Sequence, residues 1–150
     1  MRRLPTIKKN IKLDIGCGEH KAKGYIGMDI FDCGQEILWD AKEGIPFPDE
    51  SVEEIRTSHF LEHLDNEQVP EFLYECMRVL KHKGKMINIL PHASTPGAYF
   101  LGHKTFWTEY GVEALLRLEK FIRRGFECPF VITENIVDGA NLKFTLTKII

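Results

Sequence analysis

The sequence predicts a layered α/β domain with a mostly parallel sheet that closes on a C-terminal antiparallel hairpin. Three observations carry this reading. Short apolar runs end in Asp or Gly, helical spacing lies between them, and an Asp-Gly pair joins two β-rich stretches near the end. Ligands of such sheets sit outside the carboxyl ends of the strands, so the residues following each run are the first candidates for a site.

Each element has its own justification. Ile11 to Ile15 is apolar and closed by Gly16, as a buried strand entering a glycine turn would be. Tyr25 to Ile30 repeats the form around Asp29, and Glu36 to Trp39 is followed by Asp40. Ser51 to Ser58 is diluted by Glu53, Glu54 and Arg56 but keeps Val52 and Ile55, which predicts a fourth strand. From Asn66 to Leu80, Val69, Phe72, Leu73, Cys76, Met77 and Leu80 recur at helical spacing, with Pro70 in the first turn where its missing N–H costs little. Lys81 to Lys85 is expected to supply cations and a stopping Gly84 to that helix, and Met86 to Leu90 is the next strand. Thr108 is a good N-cap for a second helix expected to reach about Ile122, with Trp107 stapled onto Val112. Phe130 to Val137 and Leu142 to Ile150 are expected to pair through Asp138-Gly139.

Composition sets the limits. At 150 residues, 43% hydrophobic and 28% charged, the chain reads as a single domain over 1–150, with a basic lead-in at 1–10. A net charge of −2 lacks the positive footprint of a nucleic-acid binder. The longest uncharged stretch, Met86 to His103, holds Pro91 and Pro96 and is no membrane helix. No hydrophobic segment follows Arg2-Arg3, so the expectation is a cytoplasmic protein without a secretory leader. Cys17, Cys33, Cys76 and Cys128 form no CxxC pair and are expected to be reduced thiols.

The richest segment is LDIGCGEHKAKGYIGMDI, residues 13–30. Gly16 and Gly18 let backbone approach a ligand, and Asp29 at the next strand end can accept hydrogen bonds from the two hydroxyls of a ribose. Asp14 precedes the turn, and Asp40-Ala41 follows the third strand where an adenine amino group would need an acceptor.

With these residues in place, the chain resembles the class I S-adenosylmethionine-dependent methyltransferases of compact type. Four of that family's motifs occur in order: LDIGCG at 13–18, PFPDESV at 46–52, SHFLEHL at 58–64 and RVLKHKG at 78–84. The resemblance covers about residues 11–92 and implies a Rossmann-like fold with S-adenosylmethionine as cofactor. Carried over by position, it implies that Gly16, Cys17 and Gly18 line the methionine part. Asp29, with Ile30 beside it, would hold the ribose, Asp40 and Ala41 would meet the adenine, and Ser58 and His59 would lie beside the sulfonium. Asp14 is included with the cofactor-binding group; helix or turn capping is the competing use for it and for Asp40.

Two departures stand out. His20 occupies the place of a common third glycine, and only six residues separate Gly18 from Tyr25. A crossover helix of about 10 residues does not fit there, so the first crossover helix is expected to be shortened or missing.

Methyl transfer from a sulfonium is a direct displacement that needs alignment and no metal. A base helps when the acceptor atom is protonated, and His92 and His103 are the candidates. Residues 92–107 then form an acceptor-side loop, whose Tyr99, Phe100, Phe106 and Trp107 are either an aromatic pocket wall or core. The sequence lacks NPPY, DPPY and Pro-Cys motifs, which with the acidic charge favours a small-molecule acceptor. Two alternatives compete: a catalytically inactive methyltransferase-like binding subunit, and a zinc hydrolase, because His59 to His63 spells HxxEH. A sheet face without its helix could also be hidden in a homodimer.

Overall fold

The computed structural model describes residues 9–118 and 128–150. Five parallel strands, β1 (Ile11–Ile15), β2 (Ile26–Asp29), β3 (Ile37–Leu38), β4 (Val52–Ser58) and β5 (Leu80–Pro91), are extended by the antiparallel β6 (Phe130–Asp138) and β7 (Asn141–Lys148). The order across the sheet is β3-β2-β1-β4-β5-β7-β6, so the chain winds outward from β1 in one direction and returns in the other. That reversal places a crevice beside the carboxyl ends of β1 and β4. The hairpin forms as expected, with Gly139 at φ 60 in its turn and β6 on the sheet edge.

The core follows from the alternation of apolar positions. Leu13 and Ile15 of β1, Met28 of β2, Ile55 of β4 and Met86 and Leu90 of β5 are buried together with Leu142, Phe144 and Leu146 of β7. Against them α1 (Gln68–Val79) lays Val69, Phe72, Leu73, Cys76 and Met77, the same stripe that the sequence shows. Pro70 falls in its first turn, and Asp65 Oδ1 accepts the N–H groups of Glu67 and Gln68. Among the described residues no helix is long and apolar enough to cross a membrane.

Three expectations are corrected. The KHKG segment neither caps nor stops α1. The helix ends at Val79, Leu80 turns into β5, and the pairing register between β4 and β5 shifts where residues 81–84 bulge out, with Lys83 at φ 65. Leu80 pairs with Val52 directly, so β-pairing claims the residue before the glycine can act. The second helix, α2 (Glu109–Ala114), is shorter than expected and passes into a tight turn at Leu115–Arg117; residues 119–122 of the expected helix lie outside the described residues. Its N-cap is right, since Thr108 Oγ1 accepts from Gly111 N at 3.2 Å. The third strand contracts to two residues, because Asp40 caps a tight turn over Ala41–Glu43 by accepting from Lys42 N.

No helix forms between β1 and β2; residues 16–25 cross as turns. The covering they would have supplied comes from close backbone packing. A Cβ on Gly27 would lie 2.9 Å from Cys17 Sγ, from Gln35 Cβ and from Lys21 Cδ, so only glycine lets these loops rest on β2. Glu36 completes the seal, accepting Gly27 N at 2.8 Å and pairing with Lys21 Nζ at 2.6 Å.

Arg78, in the RVLK motif, joins α1 to the segment before β4. It donates to Glu75 through Nε and Nη2, to the Phe47 and Ile45 carbonyls and to Asp49, while Glu75 Oε2 accepts Ile45 N. Arg78→Ala removes the charge-assisted hydrogen bonds to Glu75, Asp49 and the Ile45 carbonyl and leaves the Phe47 carbonyl without its donor, which should cost about 2 to 3 kcal/mol. Urea unfolding is the check, with an unchanged midpoint as the contrary result.

Candidate functional site

The turn after β1 is shaped by two glycines at positive φ, 68 for Gly16 and 52 for Gly18. Gly16 N donates to the Met28 carbonyl at 2.8 Å, which holds the turn against β2. A Cβ on Gly16 would fall 2.4 Å from Cδ2 of Phe60, so the ring lies directly on the backbone there. Asp14, fully buried, accepts Ala22 N at 2.8 Å and Arg56 Nη1 at 3.2 Å through the same oxygen, clamping the crossover loop to β1 and β4. Burial raises its pKa despite those two donors.

Asp29 stands at the end of β2 with its carboxylate spread between two loops. Oδ2 accepts Gly18 N and Oδ1 accepts Phe31 N, each at 2.9 Å. A carboxylate offers about four lone-pair positions, so each oxygen retains capacity for a hydroxyl donor. A cavity of about 390 Å³ opens here, lined by Gly16, Asp29, Ile30, Asp40, Ala41 and His59 among others. Ile30 and Phe31 on its rim are exposed at 56% and 74%, apolar surface suited to a flat heterocycle.

Six of the ten residues expected at the cofactor site therefore meet at one cavity. Asp14, Cys17, Gly18 and Ser58 are absent from its lining. Asp14 and Gly18 work beneath it, through Ala22 and Asp29 respectively. Sequence reasoning missed Phe31, Trp39, Phe60, His63 and Leu64, which complete the wall with Ile15, Met28 and Lys42. Phe31, Trp39 and Phe60 had a signal, each lying just past a strand end. A second hollow of about 560 Å³ lies across Phe60, between Lys42 and Glu75, but holds neither the glycine turn nor Asp29. The smaller cavity is the better candidate because both strand-end features face it.

The two candidate bases are placed differently. His92 Nδ1 accepts the backbone N–H of Ser94 at 3.1 Å, which puts the ring proton on Nε2, 2.7 Å from Glu109 Oε1. Nδ1 is bonded within the turn that joins β5 to α2, and Nε2 is buried beside Glu109 without an aligned hydrogen bond. His103 donates through Nδ1 to the Ala98 carbonyl at 3.0 Å and stacks edge-on against His63, whose ring lines the cavity, at 4.7 Å. The acceptor-side loop divides likewise: Tyr99 and Phe106 stack on each other and stay exposed, while Trp107 is core, stacked on Phe144. The HxxEH segment makes only a single tight turn, Leu61–His63, with His59 before it at φ 54. It lacks the helix that would set His59 and His63 on one face, which removes the geometric basis for the zinc-hydrolase alternative.

Residues 13–88 match the family described as "Methyltransferase domain". The chain belongs to this methyltransferase family. No curated protein matches it. Among solved structures it is similar to a SAM-dependent methyltransferase from Archaeoglobus fulgidus, at 19% identity and TM-score 0.68 over 95% of this chain and 87% of that one. A methyltransferase from Methanosarcina mazei gives 18% and 0.69, over 95% and 93%. The Haemonchus contortus phosphoethanolamine N-methyltransferase 1, solved with phosphoethanolamine and S-adenosylhomocysteine, gives 15% and 0.63, over 97% and 40%. Membership bears out the expected methyltransferase and its cofactor, S-adenosylmethionine, and the structural likeness bears out the Rossmann-like fold. The residues present fit that cofactor: a carboxylate with spare acceptor capacity, a glycine turn closed by Phe60 and an apolar rim share one cavity.

Burial, with Asp14 and Asp29 adding to it, pushes the Cys17 thiol up to about 11. At pH 8 about one molecule in a thousand then carries the thiolate, the reactive form. Cys33 is exposed. A thiol-specific disulfide reagent at pH 8 should therefore show a fastest phase that Cys33→Ser removes, with Cys17 reacting only when the protein is unfolded. A fast phase that survives Cys33→Ser and disappears in Cys17→Ser would contradict the burial argument.

Proposed function

We propose that the chain transfers a methyl group by direct displacement from S-adenosylmethionine to a small-molecule acceptor. The cofactor supplies a methyl group activated on a sulfonium. The observation that carries this reading is the Asp29 carboxylate, anchored by Gly18 and Phe31 and opening into the same cavity as Gly16. In that cavity Asp29 accepts from the ribose hydroxyls, and Ile30 and Phe31 cover apolar surface beside it. Asp40 Oδ1 already accepts Lys42 N, which holds the Ala41 turn against the base end of the cavity. His59 and His63 also line it, and His63 meets the loop that carries His103. The acceptor enters from that side, past exposed Tyr99, Phe100 and Phe106, whose apolar area suits an aromatic or aliphatic small molecule. His103, rather than His92, is the expected histidine that stands toward the acceptor. Alignment of nucleophile, carbon and sulfur is the main contribution of such a site.

Isothermal titration with S-adenosylmethionine and with S-adenosylhomocysteine is the direct test. The expected result is 1:1 binding that Asp29→Ala weakens roughly 10- to 100-fold, the loss of hydrogen bonds to a charged acceptor. No binding by the wild-type chain up to millimolar ligand would overturn the reading. Saturable binding with no turnover on a broad acceptor panel would support the binding-subunit alternative instead.

A further inference from the structure

We propose that Glu62, His63 and His103 form a binding site for a divalent transition-metal ion of the zinc class at the acceptor side of the cavity. Each of the three residues offers a ligand atom within 4.8 Å of the other two. Two imidazoles and one carboxylate suit zinc and its neighbours rather than magnesium or calcium, which prefer all-oxygen sets.

Two independent features separate this cluster from a chance gathering of polar groups. Glu62 is 1% exposed, yet neither of its carboxylate oxygens has a hydrogen-bond partner among the described residues. His59 Nδ1 and His63 Nε2 stand 3.6 and 3.9 Å from Oε1, too far to satisfy it. A buried carboxylate normally has partners, and one without them requires an explanation. The second feature is the hydrogen bonding of the rings. His63 Nδ1 faces the Gly102 carbonyl at 3.3 Å and His103 Nδ1 the Ala98 carbonyl at 3.0 Å. A carbonyl only accepts, so both protons lie on Nδ1 and both Nε2 lone pairs are left available. An imidazole ligand is ordinarily oriented by such a bond from its far nitrogen.

Tetrahedral bonds of about 2.0 to 2.2 Å set ligand atoms about 3.3 Å apart, so the side chains close by at most about 1.5 Å on binding. The backbone is already tied for this: Lys104 N and Thr105 N both donate to the Glu62 carbonyl, at 2.7 and 3.2 Å, and hold the loop against the Leu61–His63 turn. Three protein ligands leave the fourth position open. On the methyltransferase reading that position takes the acceptor's oxygen or nitrogen and lowers its pKa, so that the proton passes to solvent water and His103 acts as a ligand rather than as a base. The site itself does not depend on that reading.

Zinc titration of chelator-stripped protein by calorimetry, with cobalt substitution read by visible absorption, tests the proposal. The expected result is 1:1 binding at micromolar or tighter affinity and a tetrahedral cobalt spectrum. Glu62→Gln, close in shape, and His103→Ala should each weaken it at least tenfold with the circular dichroism unchanged, while His82→Ala at an exposed site leaves it intact. No zinc binding below millimolar concentration, or binding that survives both substitutions, would overturn the proposal. Zinc binding by a chain that ignores S-adenosylmethionine would leave the site standing and remove only its use in methyl transfer.

Discussion

The carboxylate of Asp14 is the point on which the arrangement of the site depends. It is sealed beneath the first crossover and receives a backbone N–H from the loop above and a guanidinium from β4 at the same oxygen. A crossover of residues 16–25 is too short for a helix, so these ten residues cannot be held by a ridge of side chains packing on the sheet. They are held by the buried Asp14 carboxylate, by single bonds from Gly16, Gly18 and Lys21 to neighbouring strands and loops, and by the bare backbone of Gly27, on which the loops rest. Asp29, Gly18 and the glycine turn keep their positions because this clamp fixes the loop at its middle, near Ala22.

Negative charge is concentrated at this end of the sheet. Asp14 is the last residue but one of β1 and Asp29 the last of the adjacent β2, Glu36 reaches back to β2, and Glu62 is buried in the turn that follows β4. Each of the first three accepts backbone N–H groups: Asp14 that of Ala22 and Asp29 that of Gly18 in the crossover, Asp29 also that of Phe31 in the next loop, and Glu36 that of Gly27 in β2. The carboxylates thus act as staples in a region where secondary structure is sparse. Glu62 is the exception, and that exception gives the cluster around it its chemical interest.

Much of the frame was legible because it obeys local rules. Strand ends at Gly16 and Asp29, the stripe of α1, the Thr108 cap and the Asp138-Gly139 turn each need only neighbouring residues to be read. The absent crossover helix followed from counting alone. What escaped were features set by distant partners. Residues 81–84 look like a helix stop, yet Leu80 is captured by Val52 across the sheet. Gly18 looks like cofactor contact but spends its N–H on Asp29. His92 sits just past a strand end, where site residues gather, yet Ser94 and Glu109 occupy it, and neither contact has a pattern in the sequence. Phe60 could be placed near the site by its motif, but not as the ring that rests on Gly16 and parts the two hollows.

The two margins of the sheet differ in a way that matters for a chain in a crowded solution. At one margin β3 has only two residues, too little backbone to template another strand. At the other, β6 has nine, with Val131, Ile136 and Val137 exposed, an invitation to cross-β stacking with a neighbouring molecule. The irregularity between Ile132 and Glu134, where the pairing with β7 slips, breaks that long edge into two shorter pieces and twists them apart. Glu134, paired with Lys143, then places an ion pair beside the break. A defect in pairing thereby works as a guard against aggregation, placed on the strand that has the most backbone to protect.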